Sequence, residues 1–174
     1  MMAGERRADA GVDADEQHSH ARPYPVAERR ELFYNRHVAN WLVKEEPEHY
    51  SYDALVRDGK TVWAGVRNPL AQKHLRSIRK GDRIFYYHTG KEKAVVAVAK
   101  AASDAYDDPQ DADGRLAVID VVPERKLARP VTLKEIKADA AFASFPLVRM
   151  SRLSVMPVTD AEWKRIEKLG DTRG

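Results

Sequence analysis

The sequence predicts an α+β domain in which a small, strongly curved sheet or barrel is surrounded by helices. Several strand-like segments follow one another in runs, and this favours α+β over a doubly wound parallel sheet. Four of the helix-like segments begin with a Ser, Asn or Thr in the capping position. The 174 residues, 43% hydrophobic and 33% charged, suit one compact domain with some additional unstructured chain.

The first 39 residues differ from the rest. They are rich in Ala, Asp, Glu and Arg, they sustain no helical or strand period, and they are predicted to form a disordered extension before a domain at 40–172. Six arginines face seven acidic residues there, so the positive charge belongs to the domain. His18 and His20 are expected to be solvated and not a metal pair. Charges also occupy the place of a secretory signal's apolar run, so we expect no export.

The domain is predicted to begin with a strand and a short helix. The apolar run NWLVKEE, which stops at Pro47, is typical of a strand. The segment SYDALVRDG predicts one or two helical turns, with Ser51 as N-cap and Gly59 just past the end.

A second strand and the best-marked helix follow. TVWAGV is strand-like. The helix is predicted over 68–80 because Asn68 stands at the N-cap, Pro69 at the first helical position and Gly81 past the end.

The second half is predicted to be mostly strands. RIFYYHT and KAVVAVAKAA indicate two strands joined by a hairpin-length GKEK, and RLAVIDVVPE and RLSVMPV indicate two more. The segment DAYDDPQDADGR is typical of a loop. Two further helices show capping-box spacing, at Thr132 with Glu135 and at Thr159 with Glu162, the second closed by Gly170.

Composition excludes several classes of protein. The chain has no cysteine, and therefore no disulfide, thiolate zinc site or cysteine nucleophile. No segment approaches the roughly 20 apolar residues of a membrane helix. We expect no membrane, metal or cofactor and a cytoplasmic location, or a nuclear one in a eukaryote. A net charge of +3 with a pI of about 9.1 permits a polyanionic partner.

Motifs for catalysis are weak. The sequence has no GxSxG, HExxH, P-loop or GxGxxG pattern. Glu45 and Glu46, adjacent on a predicted strand, would point to opposite faces and could not act as a pair. His88, at the end of FYYH, is typical of a hydrogen-bonded structural or binding residue. An enzyme with His88 and Glu46 as acid and base remains the alternative interpretation.

One face of the helix at 68–80 is basic. Residues at three- and four-residue spacings predict an inner face of Leu70, Ala71, His74, Leu75 and Ile78. The other face carries Lys73, Arg76, Arg79 and Lys80. Such a face can simply be solvated. It can also contact phosphates, since Arg67 precedes a helix N-terminus with unpaired N–H groups.

Trp63 has two open interpretations. Its neighbours Ala64 and Gly65 leave space beside the indole, which would suit a stacked nucleobase. A tryptophan buried in the core is equally compatible with the pattern. Trp41 and Trp163 are expected to be ordinary core residues.

Four motifs together resemble one known family. They are WLVKEEP (41–47), VWAGVRN (62–68), KGDRIFYYHT (80–89) and RLSVMPVT (152–159). In order and spacing they are similar to the EVE domain family, part of the PUA-like superfamily and related to YTH domains. The resemblance covers residues 40–170.

The resemblance implies a PUA-like β-barrel of about five to six strands with flanking helices. It also implies a non-catalytic pocket that accepts a modified base, such as a modified cytosine in DNA or a modified base in RNA. Matching the motifs gives the expected ligand-binding residues Lys44, Glu45, Glu46, Trp63, Gly65, Val66, Asn68, His88 and Thr89. Glu45 stands where relatives often have Ser or Thr.

Phosphate contacts are expected from a second set of residues. Arg67 and the basic helix face supply most of them, and the RLS motif adds one, which gives Arg67, Lys73, Arg76 and Arg152. The partner would be nucleic acid, with the choice between DNA and RNA open, and the protein would be a monomer. A weaker third interpretation is a protein-interaction module with an acidic partner.

Overall fold

A computed structural model describes residues 37–172. The expected disorder of the extension, over its first 36 residues, and the expectation for His18 and His20 lie outside the described residues.

The described chain forms one mixed, curled sheet. Six strands follow the order β2-β6-β4-β3-β1-β7, and a two-residue β5 pairs with β6. All pairs are antiparallel except β1 with β3. The strands are β1 (Asn40–Glu45), β2 (Thr61–Trp63), β3 (Arg83–His88), β4 (Ala94–Ala101), β5 (Tyr106–Asp107), β6 (Ala117–Thr132) and β7 (Val155–Val158). The predicted α+β class and curved sheet are confirmed.

Six helices and one 3₁₀ turn surround the sheet in residues 37–172. The helices are α1 (Pro47–Tyr50), α2 (Tyr52–Asp58), α3 (Pro69–Ser77), α4 (Leu133–Ala138), α5 (Pro146–Arg149) and α6 (Asp160–Asp171), and the turn is Ala140–Phe142. Both predicted capping boxes form, one starting α4 and one starting α6. Ser51 caps α2, and Gly59 ends it with φ of 74°.

Helix α3 ends earlier than predicted, at Ser77 instead of position 80. Ile78 turns extended, with ψ of 136°, and its buried side chain still packs in the core. The chain then bends into β3 because the Asp82 carboxylate accepts the backbone N–H of Arg79 at 2.9 Å. Gly81, with φ of 91°, belongs to this bend.

Other boundaries also differ. The strand predicted for TVWAGV stops at Trp63, and β6 runs on to Thr132. Helix α6 continues through Gly170 because that glycine serves packing: a Cβ there would lie 2.8 Å from Leu127 Cδ1. Helices α1 and α5, the 3₁₀ turn and β5 were not predicted, since two to four residues are too short to show a period.

The core confirms Trp41 and Trp163 as structural residues. Trp163 stacks on Phe85 with ring centroids 3.7 Å apart. The indole N–H of Trp41 donates to the buried Asp82 carboxylate at 3.0 Å. Of the predicted inner face, Ala71, Leu75 and, just past the end of α3, Ile78 are buried, and Leu70 and His74 are half-buried.

Candidate functional site

The parallel pair of β1 and β3 brings two distant motifs together. Lys44 lies opposite Tyr87 and Glu45 opposite His88, and the N–H of Thr89 donates to the Glu45 carbonyl at 2.9 Å. Because parallel strands end at the same edge of a sheet, the ends of WLVKEEP and FYYHT form one rim. Candidate residues 43 positions apart thereby become neighbours.

Glu46 starts α1 from this rim. Its carboxylate accepts the Thr89 hydroxyl at 3.0 Å. It also lies against Gly90, where a Cβ would meet both carboxylate oxygens at 2.7 Å, and where φ is +73°. Glycine is therefore required at position 90 for two reasons: its positive φ, and the absence of a side chain that would clash with the carboxylate of Glu46.

Glu45 has different partners from Glu46. Its carboxylate accepts the backbone N–H of Glu46 at 2.9 Å and lies 3.1 Å from Nδ1 of His49. The two carboxylates thus engage separate groups, and Glu46 lies at the start of α1 instead of on the strand, where the sequence had placed it.

Lys44 lines an open cleft. Its ammonium donates to the Ser151 carbonyl at 3.0 Å and lies 5.7 Å from the centroid of the Tyr87 ring. The cleft, of about 290 Å³, is also lined by Thr89 and Gly90. Burial lowers the pKa of Lys44 and raises the pKa of Tyr87 to about 12. Near neutral pH the cleft therefore presents a phenolic O–H and a partly desolvated ammonium group.

His88 is held on both sides of its ring. The backbone N–H of Tyr52 donates to Nε2 at 3.1 Å, so Nε2 carries a lone pair. Nδ1, 3.1 Å from the Glu92 carboxylate, must then carry the proton. His88 is buried and lines a different cleft, of about 270 Å³, with Tyr52 and Glu92.

Trp63 lies inside an aromatic cluster. Its indole is only 6% exposed and meets Tyr86 edge-on, with centroids 5.4 Å apart and planes at 88°. Tyr86 also contacts the rings of Tyr52 and His88, each at 5.6 Å. Burial, with a smaller contribution from the charge of Glu45, raises the pKa of Tyr86. In this arrangement the indole packs the core, so a base could stack on it only after local opening.

The loop after Trp63 leads into α3. Gly65 has φ of +78° and open space around its Cα, and Val66 is buried. Asn68 accepts the N–H groups of Leu70 and Ala71, each at 3.0 Å, through its side-chain oxygen. Since Pro69 has no N–H, the donors that were predicted to hold a phosphate are largely occupied. Arg67 is exposed beside them.

Gln72 anchors that loop to the sheet and was not singled out from the sequence. Its amide nitrogen donates to the carbonyls of Val66 and Ala117 at 2.6 and 3.2 Å. Its amide oxygen accepts the Ala117 N–H at 2.9 Å. The side chain is buried, so these bonds satisfy groups that would be costly to leave unpaired.

The basic face of α3 is partly engaged within the protein. Arg76 donates to the Arg115 carbonyl at 2.6 Å and lies 3.6 Å from the Asp107 carboxylate. Lys73 is exposed. Arg152 lies apart from this face and lines a cleft of about 450 Å³ with Asn68 and Ser151.

The predicted ligand residues therefore fall into separate groups. Lys44 and Thr89 line the open cleft, and Glu46 lies beside it as the acceptor of the Thr89 hydroxyl. Trp63 and His88 lie around Tyr86 on the other face of β3. This division follows from strand alternation, which sends neighbouring side chains to opposite faces. Ser151, which borders two of the clefts, had no signal in the sequence.

Two general features of residues 37–172 bear on the site. No group of three or more His, Asp or Glu side chains is arranged to hold a metal ion in this part of the chain. None of the helices described there is long and apolar enough to span a bilayer.

Comparisons with known proteins agree on one family. The EVE domain model matches residues 39–169. Thymocyte nuclear protein 1 of Mus musculus is 28% identical over 166 residues, which are 76% of this chain and 74% of that protein.

Two solved structures share the fold. A Rhodopseudomonas palustris protein solved by NMR is 44% identical with a TM-score of 0.73, over 76% of this chain and 93% of that one. Human THYN1, crystallised in complex with DNA containing 5-methylcytosine, is 26% identical with a TM-score of 0.71, over 78% of this chain and 99% of that one. The family match spans most of the described residues, and the chain belongs to the EVE domain family.

Proposed function

We propose that this chain is a non-catalytic module that binds DNA and recognises a modified cytosine. The observation that carries the proposal is its similarity to human THYN1, which was crystallised with DNA containing 5-methylcytosine. That similarity favours DNA over RNA and a cytosine over other bases.

The rim of β1 and β3 has chemistry that suits the edge of a cytosine. Glu46 supplies an acceptor for the exocyclic amino group, the pairing by which carboxylates recognise cytosine. Lys44 supplies a donor for the ring nitrogen or carbonyl oxygen, and it lines the same cleft as Thr89. The hydroxyl of Thr89 already donates to Glu46 and so fixes the direction of the carboxylate.

Trp63 is the proposed stacking partner, with Gly65 and Val66 as the adjoining wall, although it lies on the face of β3 opposite the cleft with Lys44. Flipping a base out of a duplex costs a few kcal/mol, and stacking on an aromatic ring returns about 1–3 kcal/mol. Because the indole is 6% exposed, binding would have to move Trp63 away from Tyr86 or displace the loop at 64–68. Tyr87, which lines the open cleft but is only 3% exposed, is the competing aromatic surface, and stacking on it would also require local opening.

The contacts of His88 support a non-catalytic role. A general base needs a free lone pair within reach of the substrate. Both ring nitrogens of His88 have protein partners, and Glu46 bonds Thr89. We accordingly expect no turnover, and a monomer that acts in the cytoplasm, or in the nucleus of a eukaryotic cell.

Binding to short duplexes tests the proposal. Fluorescence anisotropy would compare one duplex with a central 5-methylcytosine and the same duplex with cytosine. The wild-type protein should bind the methylated duplex more tightly, and Glu46→Gln and Lys44→Met should lose the preference. Glu48→Gln and Lys60→Met are the matched controls at exposed positions. Equal affinity of the wild type for duplexes carrying methyl-, hydroxymethyl- and unmodified cytosine would overturn the proposal.

The same assay separates the two aromatic surfaces. If the base stacks on Trp63, Trp63→Leu should abolish the preference and Trp63→Phe should keep part of it. If it stacks on Tyr87, the effect should appear in Tyr87→Leu instead. Thermal melting of each variant would show that the folded state is retained.

A further inference from the structure

Three clefts adjoin along one side of the domain. The central cleft with Lys44 shares Lys93 and Lys137 with a neighbour of about 480 Å³ and shares Ser151 with a neighbour of about 450 Å³. Because neighbouring clefts share lining residues, the three are here named together the lysine groove. Apart from Lys44, the cations that line it are Lys91, Lys93, Lys134, Lys137, Arg149 and Arg152.

Few carboxylates lie near the cations of the lysine groove, although Glu46 and Glu135 are hydrogen-bonded to its lining residues Thr89 and Thr132. Its lining contains one carboxylate, Glu92, and that carboxylate accepts the N–H of His88. None of the six cations forms an ion pair with a carboxylate within residues 37–172. A concave surface lined by one sign of charge concentrates its field and attracts polyanions.

Other basic surfaces of the domain are neutralised to a greater degree. On α3, Arg76 lies near Asp107. On α6, Arg165 pairs with Asp139. Within the described part of the chain, Lys73 on α3 and Lys164 on α6 have no ion pair either, so the lysine groove is distinguished by the concave arrangement of its six unpaired cations.

Lys93 occupies a strained position in this groove. Its φ is +42°, and it is the one residue other than glycine with positive φ within residues 37–172. Such a conformation strongly favours glycine or asparagine. A lysine at this position, where two clefts meet, lowers the stability of the fold through backbone strain. A role of its positive charge in binding would explain why a lysine is present there.

We propose that the lysine groove holds the phosphodiester backbone of the DNA on which the modified base is recognised. This inference rests on the proposed function and deepens it. It assigns backbone contact to residues near α4 and the β3–β4 hairpin, whereas the sequence had pointed to the outer face of α3. Lysine suits the task because its flexible stem carries a point charge that needs no fixed geometry.

The salt dependence of binding measures such contacts. Each phosphate neutralised on duplex DNA contributes about −0.9 to the slope of log K against log salt concentration. Contacts to phosphates position the duplex without reading its sequence. Loss of the groove should therefore weaken binding to methylated and unmethylated duplexes by the same factor.

The test compares two variants with the same loss of charge. In the groove variant Lys91, Lys93, Lys134 and Lys137 are changed to Gln. In the control variant Lys60, Lys100, Lys126 and Lys164 are changed to Gln, and the first three of these pair with carboxylates in the folded protein. Both proteins would be titrated with the methylated and the unmethylated duplex at several salt concentrations, after thermal melting has confirmed folding.

The groove variant should lose about 3–4 units of slope and on the order of 100-fold in affinity near physiological salt. The control variant should lose less than one unit. The ratio of affinities for the two duplexes should stay at the wild-type value in both. A groove variant that matches the control in slope and affinity would overturn the inference.

Failure of the proposed function would look different. In that case the wild type would bind both duplexes with equal affinity. The slope of log K against log salt concentration would still be smaller for the groove variant than for the wild type. If the affinity of the wild type for both duplexes did not depend on salt concentration, the inference that the groove binds the DNA backbone would be wrong as well.

Discussion

The backbone N–H of Tyr52 donates to Nε2 of His88, at 3.1 Å. Because a backbone N–H can only donate, this bond assigns the neutral His88 ring its proton on Nδ1, toward Glu92. The imidazole therefore links the start of α2 to the β3–β4 hairpin through hydrogen bonds at both ring nitrogens. Removing the ring should lower the free energy of unfolding.

We expect His88→Ala to lower the free energy of unfolding by about 2–4 kcal/mol. The orphaned Tyr52 N–H, buried at the first turn of α2, costs about 1–3 kcal/mol, and the lost edge contact with Tyr86 costs about 0.5–1.5 kcal/mol. Urea denaturation monitored by circular dichroism measures the change. His49→Ala, whose side chain is 79% exposed, should change stability by less than about 0.5 kcal/mol. Equal stability of the two variants would contradict the assignment.

Gly90→Ala should disturb the carboxylate of Glu46. The new Cβ would lie 2.7 Å from both oxygens, so Glu46 must move and release the hydroxyl of Thr89. We expect a loss of preference for methylated DNA in addition to a cost of about 1–2 kcal/mol for the left-handed backbone. Anisotropy and urea denaturation measure the two effects.

Gly59→Ala is the control for Gly90→Ala, because it introduces the same backbone strain without a steric clash. Gly59 has almost the same φ, +74°, but nothing lies within 4 Å of an added Cβ. This control should pay a similar cost in stability and keep its DNA preference. If both variants bind DNA like the wild type, the position of Glu46 has no part in recognition.

The lowered pKa of Lys44 implies that the free energy of unfolding changes with pH in a definite direction. Burial lowers its pKa in the folded protein below the ordinary value of 10.5, so in the pH range just below 10.5 the unfolded chain binds more protons at this site. The contribution of Lys44 to stability therefore rises with pH in that range. Lys44→Met removes this contribution, and its stability relative to the wild type should fall as the pH rises from 7 toward 10. A difference that stays constant with pH would contradict the desolvation of Lys44.

Lys93→Gly should separate binding from stability. Glycine removes a left-handed strain of about 1–2 kcal/mol and adds about 0.5–1 kcal/mol of unfolded-chain entropy, so stability should be unchanged or slightly higher. Affinity for DNA should nevertheless fall, as read by anisotropy. Lys91→Gly is the control, because its φ is not positive, and it should lose both stability and affinity. If the Lys93→Gly variant bound DNA with wild-type affinity, Lys93 would have no part in DNA binding by the groove.

Local chemistry made much of the fold predictable. A capping box needs only four consecutive residues, and both were placed correctly from Thr132 with Glu135 and from Thr159 with Glu162. The length of β6 was underestimated because its prolines, such as Pro130, argue against a strand. Pairing with β4, with irregular register near Val95 and Val98, accommodates them.

The candidate site was predictable only in part. Sequence motifs placed Lys44 and Thr89 at strand ends that do meet. Alternation along β3 predicts that Tyr86 and Tyr87 lie on opposite faces, but the residues that complete each cleft, such as Ser151, are distant in sequence and no periodicity reveals them. Gln72 was missed because a polar residue next to an inner helix face suggests solvent, and its partner Ala117 is 45 positions away.

The place of β1 in the sheet has a consequence for how the site arises during synthesis. The strand leaves the ribosome first in the domain, yet one of its neighbours is β7, with Val43 paired to Val155. Lys44 is tied to the same late segment by its backbone N–H, 2.9 Å from the Ser154 carbonyl. Domains fold as units after their parts have emerged. A nascent chain that stops before Val155 would therefore expose an unpaired β1 edge, and the rim is complete only after β7 has emerged.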